Sequence, residues 1–170
     1  MYEGWHITSW DTPVRNMNRL MMVSLTDASC ELTLVFEDTA STERRRWRVR
    51  FQHYPAYRNI NESYRLVLWC WLDQSGQRCG ATFIMKESSP FESWKTEYLH
   101  DVAPTTRHFV IATNDDVVEV LSIDDPVWEQ VAGAEPDEPY PGKSEHFFVG
   151  EDEEAIQQLV DDLQSKNKVY

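Results

Sequence analysis

Between residues 30 and 53 the chain alternates apolar and polar side chains twice, and this pattern restricts the fold more than any other stretch. Cys30, Leu32, Leu34 and Phe36 share one face of residues 30–37; Glu31, Thr33, Val35 and Glu37 share the other. A period of two with one polar face predicts an antiparallel strand half exposed to water. Residues 46–53 repeat the pattern, with Trp47, Val49, Phe51 and His53 on one side and Arg46, Arg48, Arg50 and Gln52 on the other. A polar loop over 38–45 joins the two runs, so a hairpin is expected. Its outer face would set Glu31 and Glu37 near the arginine row. Opposite charges paired across strands contribute roughly 0.2–1 kcal/mol each.

Other segments extend this sheet. Residues 19–25 read as a strand that ends in a polar turn at 26–29. Trp5 and Ile7 suggest a short extended piece, with a turn at Asp11-Thr12-Pro13. Residues 54–64 hold Pro55, two Asn and three Tyr, and read as a loop. Residues 65–72 (RLVLWCWL) are apolar on both faces, which predicts a central strand covered on both sides. Ser75-Gly76 would turn it into a return strand over 78–86. Two β-branched runs at 107–113 and 117–122 flank Asn114-Asp115-Asp116 as a further hairpin.

Two helices are expected. Ser89-Pro90-Phe91-Glu92 has the residues of a helix start, and Phe91, Trp94, Tyr98 and Val102 follow as an apolar stripe before Pro104. Residues 151–165 place Ile156, Leu159, Val160 and Leu163 on one helical face. Asp125-Pro126 would open a helical turn carrying Val127, Trp128 and Val131. Residues 133–146, with three Pro and two Gly, form a long loop, and 147–149 would re-enter the sheet. The resulting fold class is α+β. One domain over 1–170 would hold a mostly antiparallel sheet of about six to eight strands, with two amphipathic helices packed on it.

The charge is unevenly placed. The chain carries a net −13, but residues 1–114 hold 13 acids and 13 bases, whereas residues 115–170 hold 16 acids and 3 lysines. An acidic C-terminal third either solubilises the protein or meets a basic partner. It disfavours direct contact with nucleic acid or an anionic membrane. The partner-facing candidates are Asp115, Asp116, Asp124, Asp125, Glu129, Glu135, Asp137, Glu138, Tyr140, Glu151 and Asp152. Those in the 133–146 loop alternate with prolines that stiffen it, so little entropy would be lost on binding. The acids that open the last helix also suit its dipole. The row Arg44, Arg45, Arg46, Arg48 and Arg50, with Trp47 between, has the look of a small nucleic-acid contact. Pairing with Glu31 and Glu37, or with the protein's own acidic third, explains it better.

Sequence motifs for chemistry are missing. There is no CxxC, HExxH, GxSxG, GxxxxGK[ST] or GxGxxG. No His pairs with another His or with a Cys at zinc-ligand spacing, and no cofactor or metal is expected. Asp124-Asp125 and Asn114-Asp115-Asp116 lack the spacing of a calcium loop. The three cysteines fit buried, reduced thiols. No leader-like segment or long apolar run is seen, so the expected location is cytoplasmic. The expected function is non-catalytic: an inhibitor or immunity-type protein docking on a basic partner, such as a toxin or nuclease, through the acidic third. The alternatives are a DNA-mimic or anti-defence inhibitor, or a structural assembly module.

Overall fold

The structure is a computed structural model describing residues 5–86, 106–135 and 138. Its elements in chain order are β1 (His6–Ser9), β2 (Leu20–Ala28), β3 (Glu31–Asp38), β4 (Arg46–Phe51), β5 (Ala56–Asn61), a 3-10 turn (Glu62–Tyr64), α1 (Leu66–Ser75), β6 (Thr82–Lys86), β7 (Arg107–Ala112), β8 (Asp116–Ser122) and β9 (Val127–Val131). Every pairing is antiparallel, in two sheets ordered β2-β3-β4-β9 and β1-β6-β7-β8-β5.

The expected β3–β4 hairpin is the middle of the four-stranded sheet. Leu32, Leu34, Phe36, Trp47, Val49 and Phe51 are buried on its inner face. They pack against Phe109, Ile111, Val118 and Val120 of the five-stranded sheet, making a sandwich core. The expected hairpin at 107–122 is also present, as β7 and β8. These two strands carry the role that residues 65–72 were expected to fill. Val110 and Val117 lie on their outer face, where α1 covers them with Leu68, Trp71 and Leu72. The molecule therefore has three layers: helix, five-stranded sheet and four-stranded sheet.

Residues 66–75 are thus a helix and not a strand. A short apolar run fits a buried strand or a helix equally well by pattern alone. Here Gly76, at φ 65, closes the helix with a left-handed C-cap, where a hairpin turn was expected. Only one side of α1 is buried; Leu66 and Val67 are exposed. The strand β6 consequently pairs with β1 and β7.

Four further readings change. Residues 54–64 contain an edge strand, β5, beside β8. Residues 127–131 are the edge strand β9, not a helical turn. The β2–β3 turn sits at Ser29-Cys30, both with positive φ, which is the two-residue hairpin geometry matched to strand twist. Cys30, Cys70 and Cys79 are all exposed, not buried. The helices expected at 89–103 and 151–165, and the return at 147–149, lie outside the described residues. Among those described, α1 is the one α-helix, against nine strands.

A bulge in β2 sets its facing. The register to β3 skips between Met22 and Ser24. Leu20 and Met22 face the core before it and Leu25 after it, a change of parity that one extra residue produces.

Gly80 is fixed by close approach. A Cβ there would lie 2.1 Å from the Arg15 carbonyl oxygen, the same oxygen that accepts a hydrogen bond from Ala81 N–H at 2.7 Å. Gly80→Ala is expected to cost about 1–3 kcal/mol by overpacking. A urea midpoint unchanged within error would show that the 13–16 turn yields at no cost.

Candidate functional site: an acidic, tyrosine-bearing end of the sandwich

Strand register places three connections at one end of the sandwich: the β2–β3 turn, the β4–β5 link and the β8–β9 link. They bring Asp27, His53, Tyr54, Asp124 and Asp125 together. Ile123 N–H donates to the His53 carbonyl at 2.9 Å, and Ser122 Oγ donates to the same oxygen at 3.2 Å, which fastens the second link to the third. His53 Nδ1 lies 2.5 Å from Asp124 Oδ2. Arg107 Nη1 lies 2.6 Å from Asp125 Oδ1, with its guanidinium 5.1 Å from the Phe109 ring centroid. Tyr54 donates its hydroxyl to Asp27, and its ring meets Tyr57 edge-on at 6.0 Å.

The electrostatics of this end follow from the carboxylates. The hydrogen bond from its hydroxyl to Asp27 pushes the Tyr54 phenol up to about 12, with burial and the Asp27 charge adding to it. The Tyr57 phenol is raised too, first by burial and then by the Asp27 charge. Both rings therefore stay neutral and present amphipathic contact area at neutral pH. Asp124 and Asp125 keep 58% and 74% of their side chains exposed, although Asp124 touches the His53 ring and Asp125 the Arg107 guanidinium. His53 does not join the inward row expected of it, because β4 ends at Phe51 and the ring is exposed beyond it.

The remaining candidates are dispersed. Asp115 is half-buried and Asp116 buried in the β7–β8 turn, at the opposite end. There Thr113 Oγ1 accepts from Asp116 N–H at 2.9 Å, and Glu62 N–H donates to the Asp115 carbonyl at 2.8 Å. Glu129 stands on the outer face of β9, 3.3 Å from Arg48 Nη1 and 3.6 Å from Arg50 Nε. These arginines face Glu129, not Glu31 and Glu37 as the hairpin alone suggested. Glu138 is 2.5 Å from Arg46 Nη2. Glu135 is exposed and bonds through its N–H to Glu138 Oε2 at 3.2 Å. Asp137, Tyr140, Glu151 and Asp152 lie outside the described residues.

Two acids exposed by 1% or less were not among the candidates. Glu37, on the face expected to meet water, has a fully buried side chain and accepts from Arg44 Nε at 2.7 Å and Arg46 Nε at 2.9 Å. Glu119, 1% exposed, lies 2.7 Å from Arg58 Nη2, 2.5 Å from Arg65 Nε and 2.9 Å from His108 Nε2. Its burial raises the carboxyl. The His108 hydrogen bond, the His108 and Arg58 charges and the Arg65 hydrogen bond outweigh that and hold it well below the usual carboxylate range. A lone Glu inside the β-branched run VVEVL was the signal for this site, because a charge at such a position demands a buried partner. In both clusters the central carboxylate is buried and holds elements together.

A cleft of about 520 Å³ is lined by Arg15, Asn16, Met17, Asn18, Cys79, Gly80 and Ala81. Although Cys79 is exposed at the surface, partial desolvation pushes its thiol up, so it stays protonated at neutral pH, and none of these lining residues is an acid or a histidine that could activate it. Among the described residues no group of three His, Cys, Asp or Glu side chains is placed to hold a metal ion, and no helix is long and apolar enough to cross a membrane. No protein-family model, curated protein or solved structure matches the chain.

Proposed function

We propose that this is an acidic binding protein of the inhibitor or immunity type, which docks on a basic protein partner, a toxin or nuclease being the expected kind. The observation that carries the reading is the sandwich end where Asp124 and Asp125 remain largely exposed beside Tyr54 and Tyr57. Loops held at the end of a rigid sandwich lose little entropy on binding, and tyrosine supplies contact area with few rotatable bonds. The acidic last third of the chain would add long-range attraction for a cationic surface. The described carboxylates are divided between two ends and one face and form no single strip, which favours protein docking over mimicry of a nucleic-acid backbone. A non-catalytic role is supported by the burial of both ion-paired carboxylates, Glu37 and Glu119.

The test is affinity capture with two baits, wild type and Asp124→Lys/Asp125→Lys, with retained proteins identified by mass spectrometry. A basic protein held by the wild type should be recovered at least about tenfold less on the variant, and should elute as salt screens the contact. Identical retained sets on both baits would sink the reading.

A further inference from the structure

The outer face of the four-stranded sheet carries a cationic row that docking at the acidic end does not use. Arg46, Arg48 and Arg50 occupy alternate positions of β4 and so repeat at roughly 6.5–7 Å along one face. Their neutralisation is uneven. Arg46 is saturated: its Nε and Nη2 meet Glu37 Oε2 at 2.9 and 2.8 Å, and Nη2 meets Glu138 Oε1 at 2.5 Å. Arg48 and Arg50 share one carboxylate oxygen, Glu129 Oε1, at 3.3 and 3.6 Å. Arg50 Nε is buried without a hydrogen-bond acceptor, while the two side chains stay 42% and 36% exposed.

Glu138 shows how the row takes a ligand. It reaches Arg46 from beyond the sheet, with its N–H donating to the Glu135 carbonyl at 3.0 Å. Its own carbonyl accepts from Arg44 Nη1 at 2.5 Å. Arg46 holds its carboxyl below the usual range through a direct hydrogen bond. An extended strand with acids at every second residue would set its carboxylates at the spacing of the guanidiniums. We propose that the arginine row is a docking surface for an extended acidic segment of a partner protein. Glu138 fills the first position in cis, and Arg48 and Arg50 are the positions left for the partner's carboxylates. A short acidic peptide matches the few cations available, whereas a nucleic acid would bring continuous charge against a net −13.

The probe is a fluorescein-labelled octaglutamate, with octaglutamine as the neutral control, read by anisotropy on the full chain at low ionic strength. Wild type should bind octaglutamate and not octaglutamine. Arg48→Glu/Arg50→Glu should weaken binding at least about tenfold, and Glu138→Ala, which removes one of the two acids on Arg46, should strengthen it. Arg48→Gln/Arg50→Gln is read the same way if the reversal fails to fold, with near-ultraviolet dichroism as the check. Asp124→Lys/Asp125→Lys should leave this binding intact, which separates it from docking of a basic partner. The proposal is overturned by no binding to wild type, by equal binding to Arg48→Gln/Arg50→Gln, or by tighter binding of an eight-nucleotide single strand.

Discussion

Glu119→Ala is expected to cost about 3–5 kcal/mol of folding stability, read as a shift of the urea transition at neutral pH. One carboxylate joins Arg58 of β5, His108 of β7 and Arg65, the residue that precedes α1. Its removal leaves three nitrogen-bearing side chains facing one another, those of Arg65 and His108 buried. The cost is dominated by that uncompensated charge and not by the net value of the original contacts. Against a total stability of about 5–15 kcal/mol for a domain, the loss is large. The anchoring of α1 should suffer first, because Arg65 N–H and Trp69 Nε1 both bond to the Glu62 carbonyl, at 3.0 and 3.1 Å, just ahead of the helix. Glu119→Gln should lose less, since its carbonyl oxygen still accepts from one guanidinium. A loss under about 1 kcal/mol for Glu119→Ala would show that the cluster is dispensable.

The same residue leaves a pH signature. The Glu119 carboxyl lies below its ordinary 4.5 in the folded state, because the His108 hydrogen bond and the neighbouring cations outweigh the opposing effect of burial. A group lowered on folding contributes stability that is fully present above its unfolded value and lost as pH falls through the folded one. Wild type should therefore lose stability steadily below about pH 4.5, and Glu119→Gln should show a flatter acid limb. Parallel limbs in the two proteins would place the acid sensitivity elsewhere.

How far the sequence foretold this structure depends on the range of the interactions. The 30–53 hairpin was legible because alternation is a local property that one buried face enforces. The 107–122 hairpin was legible from its β-branched runs. Residues 65–72 were misread because apolar composition on both faces fits a strand or a helix. What decides is the left-handed Gly76 and an outer sheet face that needs cover. β5 and β9 were hidden because edge strands pair on one side only and carry polar residues and a nearby proline. Charge counting found Asp124, Asp125, Glu129 and Glu138, but not what each touches. Arg46 and Glu138 are 92 positions apart, and Arg58 and Glu119 are 61 apart. Such pairings follow from which strands lie side by side in a sheet. The acidic end was half legible for the same reason: its Asp27 and Tyr54 come from the part of the chain that is neutral on average.

Phe109→Ala is the second large effect, expected at about 3–5 kcal/mol. Phe109 is fully buried on the sandwich side of β7, with ring centroids 4.7 Å from Trp10 and 5.8 Å from Phe51. Two aromatic partners from separate segments, Trp10 and Phe51, cannot close over the gap together, so a cavity remains and adds to the lost transfer energy. The ring also lies under Arg107, which holds Asp125, so the substitution should loosen one cation at the acidic end as well. Phe109→Leu, which keeps most of the volume, should cost about 1–2 kcal/mol. Leu68 belongs to the separate cluster on the other face of the five-stranded sheet, where Leu68→Ala should cost about 2–5 kcal/mol. Because that sheet stands between the two clusters, Phe109→Leu and Leu68→Ala should add within about 0.5 kcal/mol in the double variant. A coupling well above that figure would mean that β7 shifts as a body and transmits strain from the sandwich core to the helix layer.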